Sequence, residues 1–249
     1  VRFWNFIEND EGAELRIEGE IISDDDAWLY EWFGIPASSP NAFKQELSNY
    51  KNQPITVWID SWGGDVFAAA GIYNALKEHR GKVTVKVDGK AVSAASVIAM
   101  AGDEVLMSPV GIIMIHNPWS QAVGEAKDMR HAADVLDEVK ETIINAYQSK
   151  TGLSRNKISK LMDEETWMSA RKAVADGFAD GILYANQEEQ EPIQNAFSFS
   201  RLAIQNSAST AMKHFFEEYQ KFQKQQSDES FDERLFNLRR KRLDLISKL

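Results

Sequence analysis

The sequence predicts an α/β protein built on a mainly parallel sheet, and three observations carry that expectation. Strand-like and helix-like segments alternate through the first two-thirds of the chain, the rhythm that places helices on the faces of a parallel sheet. A glycine pair, Gly63-Gly64, stands where one such strand gives way to a helix. The composition, 43% hydrophobic and 27% charged over 249 residues, is ordinary for a globular chain and allows one sizeable core plus an appendage.

The elements follow in order. ELRIEGEI (14–21) alternates apolar and polar residues as a half-buried strand does. Residues 40–50 predict a helix, with Pro40 near its start and Phe43, Leu47 and Tyr50 at helical spacing. PITVWID (54–60) is β-branched and aromatic and runs into the glycine pair; DVFAAAGIYNALKE (65–78) returns to helical spacing. KVTVKV (82–87) alternates again, and SAASVIAMAG (93–102) suits a buried helix ended by Gly102. EVLM (104–107) and GIIMIH (111–116) read as strands.

After His116 the pattern changes. Met129, Ala132, Leu136, Val139, Ile143 and Ala146 recur at steps of three and four, predicting a long amphipathic helix over 125–149. Its spacing is close to a heptad seam, which suits packing on its own domain or projection towards another protomer. Residues 158–184 supply a short helix, a loop, another helix and a final strand. Beyond Ala185, NQEEQEPIQN reads as a solvated linker. Met212, Phe215, Phe216, Tyr219 and Phe222 then form a helical stripe, followed by Phe231, Leu235, Leu238 and Leu245 and the basic cluster RRKR (239–242). The expected organisation is therefore one domain over 1–185 and a linker with a mainly helical tail over 186–249.

Composition also excludes. With no cysteine, disulfides, thiolate zinc sites and Cys nucleophiles are absent. A net charge of −10 argues against a generic nucleic-acid binder. No apolar run approaches the roughly 18 residues of a membrane span, and no signal-peptide pattern opens the chain. A cytoplasmic setting without membrane partners is expected.

Ser93 and Ser96 lie in the small-residue run GKAVSAASVIAMAG, where Ser serves either close helix packing or nucleophilic catalysis. A nucleophilic serine needs a base, an orienting acid and oxyanion donors. Of the four histidines, His79 sits in a polar turn, His131 on the long helix off its seam, and His214 in the tail. His116 ends an apolar strand before Asn117-Pro118, where α/β sheets display functional groups, though a hydrogen-bonded loop residue would also suit. The turn at Gly63-Gly64 could offer backbone N–H groups to an oxyanion or to a phosphate. No Walker lysine or G-x-G-x-x-G pattern accompanies it.

Taken together, IDSWGGDVFAAAGIYNAL, GKAVSAASVIAMAG, MIHNP and ETWMSARKAVADGFADGI resemble the proteolytic subunit of the Clp protease family. They are most similar to the Clp-related head-maturation proteases of phages and prophages. The resemblance spans about residues 14 to 184 and implies the ClpP/crotonase-like β-β-α spiral with a projecting helix. It implies Ser93 as nucleophile, His116 as general base, and the N–H groups of Gly64 and Ala94 as the oxyanion hole; Ser96 becomes a packing residue. The family's Asp ahead of the aromatic residue falls on Glu165, with Asp163 as the competing acid. Trp62 departs from the family's small or Pro residue, and Ala94-Ala95 from its Met-Gly, so cleavage specificity does not carry over.

The resemblance further implies a serine endopeptidase acting on protein or peptide substrates with no metal and no bound cofactor. Any dependence on ATP would be indirect, through a partner AAA+ unfoldase. The linker and tail favour maturation of phage capsid or scaffold proteins over housekeeping proteolysis. A non-catalytic Clp-like capsid-assembly scaffold is the alternative from another class, and an enoyl-CoA hydratase-like acyl-CoA enzyme a more distant one. A homo-oligomer of heptameric or stacked double rings, joined through the helix of 125–149, completes the expectation.

Overall fold

A computed structural model describes residues 7–9 and 12–184; the expected linker and tail lie outside the described residues. The elements run β1 (Ile7–Asn9), β2 (Gly12–Ile21), α1 (Ala27–Phe33), β3 (Ala37–Ser38) and α2 (Pro40–Leu47), with a 3₁₀ turn at Ser48–Tyr50. Next come β4 (Ile55–Gly64), α3 (Val66–Lys77), β5 (Val83–Val92), α4 (Ala94–Ala99), β6 (Glu104–Met107) and β7 (Ile112–Ile115). The described part closes with α5 (Ala126–Thr151), α6 (Arg155–Asp163), β8 (Thr166–Ser169), α7 (Ala170–Ala175) and β9 (Gly181–Ile182).

One nine-stranded sheet holds the domain together, in the order β1-β2-β4-β5-β6-β9 with β3, β7 and β8 as branches. The strands from β2 through β9 along this path pair in parallel, as the sequence rhythm predicts, while β1 is antiparallel to β2. The fork lies in β5. Its first half, Thr84–Val87, pairs with β6, and its second half, Lys90–Val92, pairs with β7. The break coincides with a bulge: Ile59 pairs with Val87 but Ser61 with Ala91, so Asp88, Gly89 and Lys90 together oppose Asp60. Gly89 allows this crowding, because a Cβ there would stand 2.5 Å from Asp60 Oδ1.

Leu15, Ile17, Val57, Ile59, Val85 and Val87 bury one sheet face beneath Ala69, Ile72 and Leu76 of α3 and Ala95 and Ile98 of α4. Asp65 caps α3 by accepting the Ala68 N–H at 2.7 Å. Helix α5 is the longest helix among the described residues. Its 26 residues bury Val139, Ile143, Ile144, Ala146 and Tyr147, all in the C-terminal half. Met129 and Val135, in the other half, are 38% and 43% exposed. The apolar stripe therefore divides: one part packs at home and the other projects.

Several boundaries differ from expectation for identifiable reasons. Strand β4 continues through both glycines rather than stopping before them, because Ile21 of β2 still pairs with Gly64. Helix α4 ends at Ala99 with Met100 as its cap, so Gly102 does not end it. The loop expected between the last two helices contains β8, which pairs antiparallel with β7. No helix among the described residues is long and apolar enough to cross a membrane.

The divided stripe makes a stability prediction. Ile143→Asp places a carboxylate in a packed site and should destabilise the domain by at least about 3 kcal/mol. Met129→Asp should cost the domain itself far less, within about 0.5 kcal/mol. Thermal denaturation of the two variants checks this; equal losses would contradict the division of the helix.

Candidate active site

The C-terminal ends of β4, β5 and β7 converge on one small region. Ser93 follows β5 and precedes α4 with φ 56° and ψ −125°, a backbone setting that strains any residue with a side chain. Three bonds hold it there. Its N–H donates to the Met114 carbonyl at 2.9 Å, tying the turn to β7. Its carbonyl accepts the Ser96 N–H at 2.9 Å and the Ser96 hydroxyl at 2.6 Å.

Ser96 thus has a role of its own. Its hydroxyl, having donated to Ser93, accepts from the Tyr147 hydroxyl at 2.8 Å, and both residues are buried. Burial pushes the Tyr147 phenol up, which the bond to Ser96 only partly offsets, so it stays protonated and able to donate. Of the two serines only Ser93 meets a base. His116, one residue beyond β7 and 9% exposed, brings Nε2 within 2.7 Å of Ser93 Oγ. His79 instead meets the Gln53 carbonyl at 2.9 Å, and His131 is exposed on α5.

The two acid candidates are placed differently. In the antiparallel ladder of β7 and β8, Ile115 pairs with Thr166. That pair ends the ladder, so His116 follows it on one strand and Glu165, with φ 50°, precedes it on the other. Glu165 Oε1 accepts from Trp167 Nε1 at 3.3 Å. Asp163 closes α6, and its Oδ1 accepts from Lys140 Nζ at 2.7 Å and Asn117 Nδ2 at 2.9 Å. The bond from Lys140, then that from Asn117, holds its carboxyl below the usual range. Lys140 and Asn117 carry no signal in the sequence, since their meeting with Asp163 is purely tertiary.

The glycine pair closes against the serine turn. A Cβ on Gly63 would stand 2.9 Å from both Ser93 Cβ and the Ala94 nitrogen, and one on Gly64 would stand 2.0 Å from the Ile21 carbonyl oxygen. Both glycines also have positive φ. The Gly63 N–H is committed to Ser61 Oγ at 3.0 Å. Beside the pair, Trp62 is 45% exposed, with Lys90 Nζ 5.2 Å from its ring centre and bonded to Asp60 at 2.5 Å. Among the described residues no group of three His, Asp or Glu is placed to hold a metal.

The chain is similar to known proteins in sequence and in overall structure. The Clp protease family profile matches residues 45–186. The ATP-dependent Clp protease proteolytic subunit 1 of Chlamydia abortus is 37% identical over 145 residues, covering 56% of this chain and 74% of the relative. The corresponding subunit of Bacteroides fragilis is 32% identical over 131 residues, 52% of this chain and 63% of its own. A solved ClpP1 mutant from Listeria monocytogenes superposes with a TM-score of 0.58 at 26% identity, covering 70% of this chain and 92% of that one.

The buried hydroxyl pair gives a prediction separate from chemistry. Ser96→Ala strands the Tyr147 hydroxyl and should lower stability by about 1–3 kcal/mol. Adding Tyr147→Phe removes the stranded group and should recover part of that loss. Urea denaturation of the single and double variants measures it; a double variant worse than the sum of its parts would count against the pair.

Proposed function

Because the chain belongs to the Clp protease family and is a serine-type peptidase, we propose that Ser93, His116 and Glu165 form its catalytic triad. The contact of His116 Nε2 with Ser93 Oγ at 2.7 Å carries the reading. In it, His116 takes the Ser93 proton as Oγ attacks the scissile carbonyl carbon. The same proton then goes to the leaving amine, and water, deprotonated by His116, releases the acyl group. Glu165 orients the imidazole and stabilises its charged form. Gly64 and Ala94 donate their N–H groups to the oxyanion, the latter at the start of α4. Register supports Glu165 over Asp163, whose carboxylate is engaged by Lys140 and Asn117. No metal or bound cofactor enters these steps.

Ser93→Ala should lower kcat by roughly 10⁴ or more, as should His116→Ala, and the double variant should be little worse than either, since triad members act as a unit. A fluorophosphonate probe followed by peptide mapping should label Ser93 in the wild type. Labelling of Ser96, or none, would refute the assignment. Glu165→Gln should lose more activity than Asp163→Asn; the reverse ranking would move the acid role.

The finer role we infer is maturation of phage capsid or scaffold proteins, supported by the acidic linker and the long tail after Ala185. The Chlamydia and Bacteroides relatives are ATP-dependent subunits, which keeps housekeeping proteolysis with an AAA+ unfoldase as the second reading. Cleavage of an unstructured protein without ATP or added ATPase supports the first; a strict need for both supports the second. A purely non-catalytic scaffold is disfavoured by the Ser93–His116 contact.

Assembly into a ring-based homo-oligomer through the projecting half of α5 completes the proposal. Ile143 is buried within its own domain, so charge there would test folding rather than assembly. Met129→Asp with Leu136→Asp is the suitable variant. Light scattering should show an oligomer for the wild type and a smaller species for this variant. A wild-type monomer at micromolar concentration would overturn the assembly proposal.

A further inference from the structure

Asp163 is the acid that the triad leaves unused, yet it stands at a junction of three elements. It ends α6, it accepts from Asn117 directly after His116, and it accepts from Lys140 on α5. We propose that Asp163 is a positioning residue, clamping Asn117 to Lys140 and thereby fixing where the base stands over Ser93. The proposal rests on the reading of Ser93 and His116 as nucleophile and base.

The clamp sits where the chain most needs one. Strand β7 ends at Ile115, and from Asn117 to Gly124 the backbone follows neither helix nor strand. His116 therefore has ladder support on one side only. A base held 2.7 Å from its nucleophile is sensitive to small shifts, and a displacement of about 1 Å costs roughly 10²-fold in rate. Asn117 is the first point beyond the histidine at which a side chain can anchor the loop.

Stability alone is a poor account of the same cluster. The Asp163 side chain is 54% exposed, where an ion pair contributes little. The Lys140 side chain is only 19% exposed, and its neighbour Val139 is the first residue that α5 buries. Lys140 thus marks the root of the projecting helix, a firm anchor for an exposed carboxylate. The bond to Asp163 also settles the amide: Nδ2 faces the carboxylate, and the buried Oδ1 meets no donor among the described residues. A side chain arranged for stability would use both ends.

Chemistry separates this role from that of a triad acid. An amide at position 163 keeps an oxygen that can accept from Asn117 and Lys140, whereas a methyl group cannot. Turnover is measured per serine titrated by the fluorophosphonate probe, which removes any misfolded fraction from the count. Asp163→Ala should lower kcat about tenfold with KM unchanged, and Asn117→Ala and Lys140→Met should do likewise. The Asp163→Ala/Asn117→Ala variant should be no worse than either single, as members of one clamp are not additive. Asp163→Asn should stay within about threefold of wild type. Wild-type kcat per titrated serine in Asp163→Ala would overturn the clamp while leaving the triad standing. A loss in Asp163→Asn as deep as in Ser93→Ala would overturn it in favour of an acid role. A wild type that the probe does not label would overturn the triad and the clamp together.

Discussion

The bulge in β5 is the constraint on which the site depends. Where Asp88, Gly89 and Lys90 together face Asp60, the strand leaves one neighbour, β6, and acquires another, β7. Without that switch Ser93 would not lie beside Met114, and His116 could not follow Ile115 into reach of Oγ. The strained backbone of Ser93 is the local consequence. A residue held at φ 56° costs of order 1–3 kcal/mol and persists only where its surroundings over-determine it. Here the bonds to Met114 and Ser96 do so, and Ser96 is in turn fixed by Tyr147 of α5. The packed half of the long helix thereby supports Ser93 from beneath.

Among the described residues, the second face of the sheet carries no full helical cover. Parallel strands are ordinarily buried on both sides and read as continuous apolar runs. Strands β2, β4 and β5 instead alternate, with Glu14, Arg16, Trp58, Asp60, Lys86 and Asp88 on the half-exposed side. Arg16 pairs with Glu18 and Asp88 at 2.6 Å each, and its guanidinium lies 5.7 Å from the Trp58 ring centre, with Lys86 Nζ 4.9 Å from it. Both cationic heads thus lie over the ring, and that of Arg16 is also paired with carboxylates. The same pairing reaches the site through Lys90, which binds Asp60 at the bulge and covers Trp62.

Much of this was legible in the residues, and the exceptions share a cause. Strands β4, β5, β6 and β7 and helices α2, α3 and α5 announce themselves through period or β-branched content, and the motif around Ser93 and His116 points to their pairing. Strand β8 does not announce itself: four residues, TWMS, between two helices are too few to show alternation, and only β7 alongside makes them a strand. Helix α1 buries no residue and leaves Trp28 and Trp32 more than half exposed, so it has no apolar stripe to read. Within the site, the contacts of Asp163 with Lys140 and Asn117 are facts of the fold and not of the chain, so the residues alone left Glu165 and Asp163 side by side as candidates.

The glycine pair shows how tightly the parts of the site limit one another. At Gly64 the Ile21 carbonyl lies where a Cβ would go, which fixes how closely β4 lies against β2. At Gly63 the obstruction comes from the other side, from the Val92 carbonyl, Ser93 and Ala94. The end of β4 is thus held between a neighbouring strand and the serine turn, with no side chain able to intervene. That close fit brings the backbone of β4 against the first residue of α4, the two segments from which the proposed oxyanion hole would draw its donors. Donors fixed by such packing need no rearrangement as charge develops. The glycines therefore act through what their absent side chains permit: a backbone-lined approach to Ser93 that the bulge in β5 has already turned towards His116.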